Sequence, residues 1–85
     1  MRMKPRFKIG TLLRMNEPYG NVQILVVDYF PVADEYESRP GLFVRDEYNM
    51  YRLYYSARGK TIDQAALWLE QMVDEKKIEV ASMPN

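Results

Sequence analysis

The stretch MYRLYYSARGK, residues 50–60, holds three tyrosines, three basic residues and no acid. Aromatic rings interleaved with cations can stack nucleic-acid bases and hold phosphates, each stacked base contributing about 1–3 kcal/mol. Tyrosine and arginine also dominate the hot spots of protein–protein interfaces. Strand alternation puts Tyr51, Leu53, Tyr55 and Ala57 on one face and Tyr48, Met50, Arg52, Tyr54 and Ser56 on the other. The first set is the more apolar and is the better core. The second is the candidate contact face, with Arg58 and Lys60 beyond it and Lys4 and Arg6 in a basic N-terminal segment. A plain sheet face accounts for the same residues, because tyrosine favours strands. On that reading Arg52 pairs with Glu47 or Asp28 across strands.

Little else offers chemistry. The chain has no cysteine and no histidine, so it lacks a thiolate nucleophile, the usual general base near neutral pH and the commonest metal ligand. Ser38, Ser56, Ser82, Thr11 and Thr61 have no histidine to activate them. No Gly-rich phosphate cradle, P-loop or zinc spacing occurs. Asp34, Glu35 and Glu37 could gather around a divalent cation, but they lack the EF-hand spacing and read as a solvated loop. The expectation is therefore no enzyme, no cofactor and no metal.

The elements that must position these residues are short. At 85 residues the chain reads as a single domain, with a basic segment at 1–6 and a flexible tail at 83–85. Net charge is zero, which argues against a bulk nucleic-acid coat. No run approaches the roughly 18 apolar residues of a membrane span, and no secretory leader is evident, so a cytoplasmic location is expected.

FKIGTLLRM alternates as a half-buried strand. NEPYGN is a turn. VQILVVDYF is the strongest strand, with Val22, Ile24, Val26 and Phe30 on one face and Leu25, Val27 and Tyr29 on the other. VADEYESRPG reads as a long polar loop, LFVRD as a short strand, EYN as a turn and MYRLYYSA as the next strand. Thr61 and Gln64 form a capping box for a helix over IDQAALWLEQMVDEK. Its stripe is Ile62, Ala65, Ala66, Leu69, Met72 and Val73, with Trp68 at the edge. Leu67 falls on the opposite side and is a further candidate for partner contact. IEVAS closes the chain as a strand. The order is β-β-β-β-α-β, an α+β fold in which the helix packs on a small curled antiparallel sheet. It is expected to cover the outer face that the ILVV run leaves apolar.

KIGTLLRM followed by GNVQILVVDY resembles the opening of small SH3-like barrels of the KOW and Tudor type, as found in short proteins of tailed phages. The resemblance covers about half the chain. A full helix before the last strand departs from the simplest members, which carry a single 3₁₀ turn there. The resemblance implies a binding protein, and with it a viral accessory role docking on a host or viral protein. The alternative is single-stranded DNA or RNA binding through the Tyr/Arg face. An exposed edge strand could also pair two copies into a dimer.

Overall fold

The computed structural model describes residues 4–17 and 20–84, and among these described residues five strands and one helix build the fold. Met1, Arg2 and Met3 of the basic segment, Pro18 and Tyr19 of the NEPYGN turn, and Asn85 of the tail lie outside the described residues. The strands are β1 (Leu12–Glu17), β2 (Gly20–Arg39), β3 (Leu42–Tyr55), β4 (Lys60–Ala65) and β5 (Ile78–Ser82), with α1 (Ala66–Asp74) before β5. All neighbours pair antiparallel in the order β4-β3-β2-β1-β5. The sheet is open, with β4 and β5 as its edges. The α1 helix carries the chain from one edge to the other.

The expected order is the observed one, built from different segments. LFVRD, EYN and MYRLYYSA do not make two strands around a turn: they run together as β3. The supposed polar loop, VADEYESRPG, is mostly the second half of β2. The strand so lost is replaced by β4, taken from the expected start of the helix. Thr61 and Gln64 are therefore strand residues, and the N-cap of α1 is Ala65 with no side-chain capping bond. The sequence misleads here because Ile62 points to the core in either conformation. What decides is a six-residue ladder with β3, from Met50↔Ala65 to Tyr55↔Lys60. β-Branched Thr61 and Ile62 suit that ladder better than a helix start.

The core lies on one face of the sheet. Leu13, Ile24, Val26, Tyr51, Leu53 and Ile78 are buried there with Leu69 of α1, and Ile62, Ala66, Trp68, Met72 and Val73 pack around them. The helix covers the Ile24/Val26 face, where the core lies, while Leu25 and Val27 stay half-buried. A β-bulge lies between Val26 and Asp28. The extra residue, Val27, reverses the alternation, so Tyr29 joins the core and Phe30 turns outward.

The N-terminal segment completes the cover. Phe7 is buried, its N–H donates to the Tyr51 hydroxyl at 3.1 Å, and its ring lies 5.9 Å from that of Tyr51. Arg6 reaches Asp74 at the end of α1 at 2.8 Å. Ile9, within the FKIGTLLRM segment expected as the first strand, is 56% exposed, and β1 begins only at Leu12. Helix α1 stops in a Schellman motif: Lys77 N–H donates to Met72 C=O and Lys76 N–H to Val73 C=O, with Lys76 at φ 61°. Lys76, expected as the end of the helix, therefore lies past it together with Lys77. No helix among the described residues is long and apolar enough to cross a membrane.

Candidate functional site

The outer face of β3 carries the residues that sequence reasoning singled out. Tyr48, Arg52 and Tyr54 alternate there, opposite the buried Tyr51, Leu53 and Tyr55. Across the strands, Arg52 stands level with Asp28 on β2 and Asp63 on β4. Its Nε and Nη2 donate to the two Asp63 oxygens at 2.9 and 3.3 Å, and Nη1 is 4.0 Å from Asp28. The guanidinium also lies 5.0 Å from the Phe30 ring centre. The hydrogen bond and charge of Asp63 push its pKa further above the usual arginine value. Arg52 is a cross-strand clasp, and a phosphate would have to compete with two carboxylates for it. Of the two acids expected as partners, Asp28 takes part; Glu47 instead bonds Arg45 at 3.0 Å.

The other candidates do not converge on this face. Arg6 sits on the helix side of the sheet, tied to Asp74 and 5.2 Å from the Phe7 ring centre. Lys4 is exposed nearby in sequence. Arg58 belongs to the turn after β3, and Lys60 begins β4 opposite Tyr55. Leu67 is 74% exposed on the solvent side of α1, as its spacing predicts. The sheet and its helix layer therefore divide the expected groove into separate places.

Sequence reasoning missed the most prominent surface feature. Beyond Pro31↔Asn49 the β2–β3 pair continues, among the described residues, without a third strand, through Tyr36↔Val44 to Arg39↔Leu42. This two-stranded ribbon ends in Arg39-Pro40-Gly41-Leu42, with Gly41 at φ 79°. Pro then Gly at the central positions suits a type II turn, and a register shift between Glu37 and Arg39 adapts that turn to the hairpin twist. The Gly41 N–H donates to the Glu37 carboxylate at 2.9 Å.

One ribbon face continues the outer face of the sheet: Phe30 and Met50, Val32 and Tyr48, Asp34 and Asp46, Tyr36 and Val44. The Tyr48 hydroxyl donates to Asp34 at 2.6 Å, and that of Tyr36 bonds Asp46. These bonds push both phenols above their ordinary pKa. They also temper the repulsion of two carboxylates placed directly across from each other. The opposite ribbon face carries Arg45 between Glu35 and Glu47, at 3.4 and 3.0 Å. The acidic run is thus split between faces: Asp34 points one way, Glu35 and Glu37 the other. That geometry does not gather the three around one cation.

Tyr36, Leu42 and Phe43 are exposed at 47, 52 and 71% on this ribbon. A signal for it exists in the sequence. RPGL is a hairpin turn flanked by Tyr36 and Val44, but the interspersed acids obscure the apolar alternation. Comparison with protein-family models, with curated proteins and with solved structures finds no match to this chain.

Proposed function

We propose that this chain is a non-enzymatic binding module of the SH3-like kind that docks on another protein, with the β2–β3 ribbon as its docking element. The observation that carries the reading is the set of apolar side chains, Tyr36, Leu42 and Phe43, held in water at the end of a projecting ribbon. Tyr36 stands on one ribbon face and Phe43, across from Glu37, on the other, so the exposed apolar surface is grouped around the ribbon end, as in contact surfaces. A meander whose last strand returns beside its first supports the SH3-like part, although β4 and β5 stand at opposite edges of the sheet. An accessory role in a virus belongs to the same proposal. Nucleic-acid binding is the weaker alternative, because Arg52 is engaged by Asp63 and Asp28 and the remaining cations are scattered.

A photo-crosslinking residue placed at Phe43 tests the reading in cells that produce the protein. The expected result is a discrete protein adduct from position 43 and none from a crosslinker at Glu79, on the distant β5 edge. Equal labelling from both positions, or none from 43, overturns it.

A further inference from the structure

We infer that the occupant of the ribbon is a second copy of this chain, with the ribbon of each copy laid against the body of the other. The inference rests on the ribbon being the docking element and names its partner. Two physical features lead to it. The first is the marginal stability of a lone two-stranded ribbon in water, where three or more strands or a packed face are needed for independent stability. Here the Val32–Tyr48 and Tyr36–Val44 pairs have a sheet neighbour on neither side among the described residues. Both edges of the ribbon and the Leu42–Phe43 end call for cover.

The second feature is charge. Residues 32–48 hold five carboxylates against two arginines, a net charge of −3. The whole chain is neutral, so the rest carries +3. The separation persists among side chains not already used in ion pairs. On the ribbon, Asp34, Glu37 and Asp46 make no ion pair with another described residue, and neither does Arg39. In the body, Lys4, Lys8, Arg58, Lys60 and Lys76 make none, against one such acid with a described side chain, Glu70. All five lysines of the chain lie outside the ribbon.

Ribbon-to-ribbon pairing would bring −3 against −3. Ribbon-to-body pairing brings −3 against +3, and the sign chooses the second. Nor can a ribbon serve its own body. It projects from the sheet over about eight residue pairs, roughly 25 Å. A two-fold dimer satisfies both bodies at once, since each ribbon meets the same surface on its partner. It also uses the contact twice, which adds to the area buried.

Sedimentation equilibrium on the full chain, at low salt and at about 0.5 M salt, tests this. A dimer is expected that loosens severalfold as salt rises. Phe43→Asp should weaken it at least tenfold; Phe43 is 71% exposed, so the circular dichroism spectrum should stay as in the unaltered chain. Asp34→Asn combined with Asp46→Asn should also weaken the dimer, while the fold gains from the lost cross-strand repulsion. Carbodiimide coupling of mixed ¹⁴N- and ¹⁵N-labelled protein should join ribbon carboxylates to body lysines between differently labelled copies. A monomer at every concentration overturns the inference. So does a dimer that tightens with salt or ignores Phe43→Asp. If the chain is monomeric yet position 43 still crosslinks to a different protein, the docking reading stands and only the second copy is excluded.

Discussion

Tyr51 joins three parts of the protein through one side chain. It is fully buried, its hydroxyl accepts the Phe7 N–H, and its ring stacks obliquely on Tyr29 at 4.8 Å. Burial is the largest influence on the phenol and pushes its pKa above the ordinary 10.0. The folded chain therefore holds this proton more tightly than the unfolded chain does. The stability it contributes is fully present below about pH 10 and is lost as pH rises through the folded value. Urea midpoints measured from neutral pH to about 12 should fall on the alkaline side. Tyr51→Phe should flatten part of that fall while lowering stability by about 1–3 kcal/mol, because the Phe7 N–H loses its acceptor. A midpoint that stays constant well above pH 10 in the unaltered protein would refute the assignment.

At the level of elements, α1 depends more on Leu69 than on Trp68. Leu69 is completely buried among the sheet residues, whereas Trp68 is half-buried at the margin. Leu69→Ala should cost about 2–5 kcal/mol, and Trp68→Ala less than the roughly 3–5 kcal/mol of a fully buried aromatic ring. Urea denaturation of both variants gives the ranking, and a larger loss for Trp68 would show that the helix is seated differently. The end of α1 offers an independent check. Lys76 adopts φ 61°, a conformation that costs a side-chain-bearing residue roughly 1–2 kcal/mol and glycine almost nothing. Lys76→Gly should raise the thermal midpoint by a few degrees. An unchanged or lower midpoint would mean that the Schellman turn is not formed in solution.

Across the whole molecule, the ribbon sets the shape. The Cα radius of gyration is 15.2 Å and the extents are 49 × 31 × 25 Å. A compact domain of this length has a radius near 12 Å. Small-angle X-ray scattering of a monomeric variant such as Phe43→Asp should give a radius of 15 Å or slightly more, the Cα value itself being 15.2 Å. A radius near 12 Å would mean that residues 32–48 collapse onto the body.

The period-two pattern determined much by itself. It put Tyr51, Leu53 and Tyr55 inside and Tyr48, Arg52 and Tyr54 outside, because a strand side chain has only two directions to take. The apolar stripe of Leu69, Met72 and Val73 likewise identified the inner side of the helix. Three things waited for the tertiary structure. The Val27 bulge exchanged the places of Tyr29 and Phe30, since one extra residue reverses an alternation and leaves no local mark. Residues Lys60–Ala65 became a strand because the edge of β3 was available to pair with them, a fact no local propensity contains. Residues 32–48 became a ribbon because each half finds its register only in the other, and the carboxylates that make each half look like a loop are balanced across the strands by Arg45 and two tyrosine hydroxyls.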